Sequence, residues 1–389
     1  MPSSATNPSS RDTLIVRQAR PEDDDGRRAL LAGVAMDTEL SLSVVRTPTV
    51  DTMYALHATV WESWVVAGGD GSIEGMGSVL VRDAYVDGAP GMVGYLGDLR
   101  FSARAEGRHL LDRAYGPILA GVRDRLGCEY FLTAIISSNA RARRALTVQT
   151  ERAAKHGRPR YTLLREFDIR SLHLVVPSRA RDVLSRRSPI TVRRAEATDI
   201  PAVAALLDED ARSRPFGYPM PEAELRRRLA SWPGLTIGSF HIAERAGELV
   251  GCVAPWDASP VKQTVVASYT GAMARVRRAH DLAARLLRRP QLPKPGEPFC
   301  YQYLTHVAVP SRDPNVLRAL LGSAYASARR AGFHFLSACA PVGDALDGAY
   351  RGYLATNLRA QLYVVTLPGA TIPEALFDAP MPGFEMALV

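Results

Sequence analysis

The sequence predicts a mixed α/β fold (α+β, with mixed sheets) built twice in tandem along one chain. Three observations carry that expectation. The chain is 389 residues long, which at roughly 150 residues per domain is two domains' worth or more. Short motifs recur in one order along it. Strand-like and helix-like periodicities alternate through each copy. Val16-Arg17-Gln18-Ala19, followed by Asp23, matches Val192-Arg193-Arg194-Ala195, followed by Asp199, at an offset of 176 residues, and the same offset aligns Gly71–Gly75 with Gly247–Gly251. Tyr95-Leu96 matches Tyr303-Leu304 and Arg104 matches Arg312 at 208, while Phe131-Leu132 matches Phe335-Leu336 at 204. Two copies in the same order, with about 32 extra residues in the second between Gly251 and Tyr303, account for all of these offsets.

In the first copy, Leu14 to Arg17 alternates as an opening strand. Pro21 and the acids Glu22 to Asp25 precede Ala29-Leu30-Leu31, a helix start with negative charge at the positive end of its dipole. Trp64–Ala67 and Ser78–Val81 flank a Gly68-Gly69-Asp70-Gly71 turn and read as a hairpin. Asp87 to Gly91 turns into the strand Val93–Phe101. The spacing of His109 to Leu126 is helical and stops at Gly127, a C-terminal capping signal. Tyr130–Ile136 is a buried strand, Ala140–Gln149 a short helix, and Tyr161–Phe167 opens the closing strands. The second copy repeats this from Ile190, with a helix over Ile200–Arg212, a hairpin over Phe240–Val253, a central strand at Tyr303–Val309, a helix over Pro314–Arg330 and a strand at Phe333–Cys339. The expected organisation is a disordered leader (1–12), a first domain (13–175), an Arg-rich, proline-bounded linker (176–189) and a second domain (190–389) with a helical insertion at about 269–296. Within the insertion, Met273–Arg289 is a basic amphipathic stretch, read as a lid packed on its own domain or as a surface for a membrane or partner. The proline-rich run Pro290–Gly296 ends it.

Composition excludes several classes. Hydrophobic residues are 47% and charged residues 23%, too apolar a balance for a wholly disordered chain. No apolar run is long enough for a membrane span, and the polar start, Met1 to Arg11, has no hydrophobic middle, so a cytoplasmic protein is expected. Net charge is +8, but three lysines stand against 45 arginines, a skew that reports codon usage more readily than a nucleic-acid surface, so nucleic acid is not expected as a partner. The four cysteines form no C-x-x-C pair and the histidines no H-E-x-x-H motif, so buried thiols and no metal are expected. Neither a G-x-S-x-G elbow nor a phosphate-binding G-x-x-x-x-G-K-[ST] loop occurs.

The Val-Arg-x-Ala strand with its nearby Asp, the Asp-Gly-x-Ile-x-Gly hairpin turn and the strand-loop-helix that follows resemble the GNAT (Gcn5-related N-acetyltransferase) family, so the whole resembles a tandem GNAT protein. The family's signature, Q/R-x-x-G-x-G/A, lies between central strand and next helix. Its physical basis is an anion site: amides at a helix N-terminus lack intrahelical partners, the dipole adds positive charge, and glycine permits close approach of the coenzyme A diphosphate. The first copy offers Arg104-Ala105-Glu106-Gly107-Arg108-His109, in which Arg104 and Gly107 fit and His109 replaces the final small residue; a register counted from Phe101 places Glu106 at the Q/R position instead. Arg108 and His109 add positive charge. The second copy has Ser311-Arg312-Asp313-Pro314-Asn315 and no glycine. Asp before Pro caps a helix and would occupy the amides that a diphosphate needs. The acyl-CoA is therefore expected in the first half.

The resemblance implies further residues. Asn139 and Ala142 fit Asn-x-x-Ala-x-x-x-Tyr, with Leu146 where the family's general acid tyrosine stands. The expected cofactor-binding set is Leu99 and Phe101 on the central strand, Arg104, Gly107, Arg108 and His109 in the loop, and Asn139. Asp98, on the central strand, and Glu74, in the hairpin, are candidate bases, with His306 at the position corresponding to Asp98. Tyr350 and Tyr353 are candidates for the missing acid if the halves share a cleft; Tyr115, Tyr130 and Tyr161 are others. The implied activity is an acyl-CoA-dependent N-acyltransferase, with acetyl-CoA or another acyl-CoA as co-substrate, no metal, and a small-molecule or peptide amine as acceptor. Two alternatives remain open: a transferase resembling the Fem-type aminoacyl-tRNA-dependent ligases, suggested by the basic charge and the insertion, and a non-catalytic GNAT-fold binding protein, suggested by the missing glycines and tyrosine.

Overall fold

A computed structural model describes residues 13–33, 39–175 and 189–389. The expected leader, and the expected linker up to residue 188, lie outside the described residues.

Fourteen strands are numbered in chain order. The first half contributes β1 (Leu14–Gln18), β2 (Leu40–Arg46), β3 (Val60–Gly68), β4 (Ile73–Val86), β5 (Ala89–Phe101), β6 (Phe131–Ile136) and β7 (Arg160–His173). The second contributes β8 (Ile190–Arg194), β9 (His241–Arg245), β10 (Glu248–Trp256), β11 (Lys262–Tyr269), β12 (Tyr301–Ala308), β13 (Phe335–Pro341) and β14 (Ala355–Thr366). Twelve of them form one mixed sheet in the order β1-β3-β4-β5-β6-β14-β7-β13-β12-β10-β9-β8. The order is symmetric about the β14–β7 pair, and at that pair the halves exchange strands. β14 from the second half lies against β6 of the first, and β7 from the first half lies against β13 of the second. Both hydrogen-bonding edges of β7 and of β14 are thus paired with strands of the other copy.

Local sequence explains the hairpins. Asp87 and Gly88, both with positive φ, make the two-residue turn between β4 and β5, and Ala246-Gly247 does the same between β9 and β10; paired positive φ values match the twist of the flanking strands. The helix Pro314–Arg330 begins as expected, with the Asp313 side chain accepting from the Asn315 amide at 2.9 Å and Pro314 in the first turn. The helix Leu110–Leu126 ends in a left-handed Gly127.

Helices cover both faces. One face carries the helices Asp24–Gly33 and Val50–His57 from the first half and Ile200–Arg212 and Glu222–Ser231 from the second, over cores that share Ile169, Cys339 and Phe384. The opposite face carries the 110–126 and 314–330 helices. Just before the expected insertion lies β11, which pairs antiparallel with β2 of the first half in a separate two-stranded ribbon. The insertion's helix, Gly271–Leu286, buries Ala284 and leaves Leu282 and Leu286 exposed.

Parallel pairing next to the junction is short in both halves. β5 and β6 pair only at Gly94↔Phe131 and Tyr95↔Leu132, and β12 and β13 only from Tyr301↔Phe335 to Tyr303↔Ser337. Beyond those points the strands splay. Each inner strand also breaks register with its antiparallel neighbour at a residue with left-handed backbone, Asp98 (φ 50°) in β5 and His306 (φ 48°) in β12. A bulge of this kind re-aims amides and side chains. The fold thus makes one wedge-shaped opening per half.

Candidate active site

In the first half the bulge presents Asp98. Its carboxylate accepts a 2.8 Å hydrogen bond from the Tyr54 hydroxyl and lies 3.6 Å from the Arg46 guanidinium. Burial alone would raise its pKa, but Arg46, the Tyr54 hydroxyl, Arg100 and Lys262 outweigh it and hold the carboxyl below its ordinary value. Arg46 is delivered by the end of β2, where it pairs in register with Lys262 of β11. The exchanged ribbon therefore carries a second-half amine to the first-half bulge. Burial, reinforced by Arg46, pushes the Lys262 amine down to about 7. Its Nζ donates to a Val389 oxygen and lies 5.1 Å from the centre of the Tyr303 ring.

The loop after β5 opens toward the 110–126 helix. Gly107 has φ 72° with open space where a Cβ would stand, and Arg108 is exposed. His109 is the N-terminal boundary residue in left-handed conformation, and its side chain makes no capping bond; instead Nδ1 lies 3.3 Å from Asp112. Arg104 is engaged elsewhere, held at 2.9 Å by Glu74 and 3.2 Å by Asp70. Glu74 also accepts from Ser102 and Ser72, and the Ser102 bond is the main reason its pKa lies below the ordinary value. Glu74 thus braces the loop through Arg104 and Ser102, apart from the Tyr54–Asp98–Arg46 group. Asn139 spends its side-chain oxygen on the Ala142 amide at 2.9 Å, capping the helix Ala140–Thr147.

Leu99 and Phe101 line an apolar cavity of about 80 Å³ between the sheet and the 110–126 helix. It extends from the β5–β6 splay, at Leu96 and Thr133, to Trp64 and Val66 on β3. The Tyr115 and Tyr161 hydroxyls, 2.8 Å apart, meet on its wall. Burial pushes Tyr115 up to about 12 and Tyr161 well above its ordinary value, so both stay protonated at neutral pH. Tyr130 is elsewhere, donating to the Thr371 carbonyl.

The second-half opening is built differently. The Asp313 carboxylate accepts from the Asn315 amide at the start of the 314–330 helix and is paired with Arg245 at 2.6 Å. Arg312 is paired with Asp344. The His306 amide donates to Glu385 at 3.4 Å. The Thr305 hydroxyl donates to the Ala254 carbonyl, so its oxygen accepts from His306 Nδ1–H, and Nε2 faces Arg228 as the acceptor. Burial and then Arg228 push the His306 pKa far down. This ring is neutral, with its lone pair turned to a guanidinium. A cavity of about 130 Å³ here includes Arg228, His306, Arg312, Asp344, Tyr350 and Glu385 in an otherwise largely apolar lining. Tyr350 belongs to this cavity, with Arg170 over its ring at 4.9 Å, whereas Tyr353 packs on Tyr325 with ring centres 5.2 Å apart. Neither tyrosine joins the Asp98 group.

Sequence reasoning did not single out Arg46, Tyr54, Lys262 or Glu385. For Lys262 there was a signal: a lysine kept among 45 arginines is conspicuous. Among the described residues, no cluster of His, Cys, Asp or Glu is placed to hold a metal ion, and no helix is long and apolar enough to cross a membrane.

No family model matches this chain, and no curated protein matches it in sequence. Solved structures do match in fold. A GCN5-related N-acetyltransferase from Sphaerobacter thermophilus aligns with TM-score 0.55 and 16% identity over 94% of this chain and 99% of its own. A tandem GNAT protein from the clavulanic acid biosynthesis pathway aligns with TM-score 0.52 and 11% identity over 92% of this chain and 100% of its own. The chain has a tandem GNAT fold. N-myristoyltransferase from Saccharomyces cerevisiae, solved with bound myristoyl-CoA, shares the GNAT architecture with TM-score 0.54 and 11% identity over 90% of this chain and 82% of its own. At such identities the GNAT likeness concerns the fold, and the two openings are what distinguish this chain's halves.

Proposed function

We propose that this protein is an acyl-CoA-dependent N-acyltransferase that binds its coenzyme in the first half. The observation that carries the reading is the contrast between two openings of one design. At the first, the boundary residue His109 puts no side-chain cap on the helix start, which leads to an apolar cavity; at the second, Asp313 caps the Asn315 amide of the helix start and Glu385 takes the His306 amide of the bulge. The similar folds of acyltransferases support the class of reaction.

The residues present fit an acyl-CoA. Uncapped amides beyond Gly107, with Arg108 and His109 beside them, suit the diphosphate. The pantetheine arm would enter the β5–β6 splay, bringing the thioester carbonyl to the bulge at Asp98 and Leu99, where re-aimed strand amides serve as oxyanion donors. The acceptor amine attacks the thioester carbon, the C–N bond forms, the C–S bond breaks, and coenzyme A leaves as thiolate. Asp98, held as an anion by Arg46 and Tyr54, takes the proton that the amine loses. The Tyr115–Tyr161 pair offers protonated hydroxyls on the cavity wall for the thiolate.

Calorimetric titration of the full chain with acetyl-CoA and longer acyl-CoAs, followed by an assay of thiol release with a panel of amines, tests the reading. Saturable binding with one equivalent and amine-dependent thiol release support it. Absence of binding to any acyl-CoA would overturn it and favour a non-catalytic role.

A further inference from the structure

The repeat that aligns Gly75 with Gly251 aligns Gly77 with Val253. In the second half this strand position is filled. Val253 is fully buried, and a Cβ on Gly251 would meet Val316 Cγ1 at 2.7 Å and Leu320 Cδ1 at 3.1 Å, because the 314–330 helix presses directly on the sheet. Val316, Leu317, Leu320 and Leu321 are all buried there.

The first half leaves the same place empty of side chains. A Cβ on Gly77 would touch only Leu99 Cδ1, at 3.4 Å. The facing helix presents Leu110, Leu111, Ala114 and Ile118, each only half-buried, and the cavity lies between them and the strand. At about 80 Å³ it has room for roughly five waters, but water needs two to four polar partners. The Thr133 hydroxyl already donates to the Leu96 carbonyl, and the Tyr115 and Tyr161 hydroxyls hold each other; the Trp64 indole N–H and the Ser78 hydroxyl, buried without a hydrogen-bond partner among the described residues, are too few to hold several waters. An apolar guest suits the space better than water does. From β5 to β3 the cavity runs across two strand spacings, about 10 Å, more than an acetyl group occupies.

We infer that the cavity floored by Gly77 receives the aliphatic tail of the acyl group, making the preferred donor an acyl-CoA with a chain several carbons longer than acetyl. This rests on the acyl-CoA reading above and adds the class of donor. Each methylene moved from water into the cavity strengthens binding about fourfold.

The test is isothermal calorimetry of the full chain with acetyl-, butyryl-, hexanoyl- and octanoyl-CoA, for the wild type and for Gly77→Val, which copies Val253 of the second half. Wild-type affinity should climb by about fourfold per methylene until the cavity is full, giving at least a tenfold preference for octanoyl- over acetyl-CoA. Gly77→Val should shrink that preference at least tenfold, and Ala114→Leu, filling the space from the helix side, should do the same if the strand variant folds poorly. Equal affinity for all four donors would overturn the inference and leave the acyltransferase reading intact. A preference for long chains that neither variant alters would overturn the location. Failure of every donor, and of coenzyme A itself, to bind would remove the acyltransferase reading and this inference together.

Discussion

Glu385 gives the sharpest stability test of the second half. Burial pushes its carboxyl up from the ordinary 4.5 to about 7, against the partial compensation of long amide bonds from Ala387 at 3.3 Å and His306 at 3.4 Å and of the Arg228 and Arg214 charges. A group whose folded-state pKa lies above its unfolded value stabilises the fold at low pH, and that stability is lost as pH rises through the folded pKa. Here the window runs from about 4.5 to about 7. At roughly 1.4 kcal/mol per tenfold the full loss is about 3.5 kcal/mol, of which about 2–3 kcal/mol falls between pH 5 and pH 8.5. Glu385→Gln keeps the shape and the acceptor oxygen but cannot ionise. The variant should match the wild type within about 1 kcal/mol at pH 5 and exceed it by about 2–3 kcal/mol at pH 8.5. For a chain of this length unfolding as one unit, that is a rise of about 3 °C in Tm. Urea or thermal melts of both proteins at the two pH values measure the difference directly, because groups common to both cancel. A gap of the same size at both pH values, or a variant less stable at pH 8.5, would refute the reasoning.

Lys262 carries the opposite sign. Its amine is pushed down to about 7 from 10.5, so the unfolded chain binds the extra proton and wild-type stability should rise from pH 7 toward pH 10. Lys262→Met should flatten that rise in urea melts across the same range. Asp313→Ala removes the cap of the 314–330 helix and should cost about 1 kcal/mol in thermal melts. Leu320→Ala, at a fully buried position under the same helix, should cost about 3 kcal/mol by urea denaturation.

Local signals were legible in the sequence and long-range ones were not. Asp313-Pro314 announces a capped helix because the capping atoms are two residues apart, and the structure forms that bond. The Asp87-Gly88 turn and the helix ending at Gly127 depend equally on neighbours. The doubled mixed α/β architecture was legible because the repeats keep their order. The exchange of β7 and β14 was not, since a strand's own alternation says nothing about which half supplies its neighbour. The segment Leu40–Arg46 alternates as a strand should, yet its partner β11 is more than 200 residues away, in the other half of the chain. At the site, the resemblance placed Asp98 on the central strand, but the left-handed backbone that makes it a bulge has no glycine to mark it. Arg104 and Glu74 were expected in separate roles; the β3–β4 turn brings them together as an ion pair. Asn139, implied for the coenzyme, meets a nearer demand at the start of its own helix.

The central claim is that the first-half helix start binds coenzyme and the second-half one cannot. Calorimetric titration of acyl-CoA into Gly107→Glu and Asp313→Ala, side by side with the wild type, tests it most directly. A carboxylate placed beside the helix start of the first half should abolish binding, while removal of the cap in the second half should leave the affinity of the first-half site unchanged. Unaltered binding by Gly107→Glu, or loss of binding in Asp313→Ala, would contradict the account.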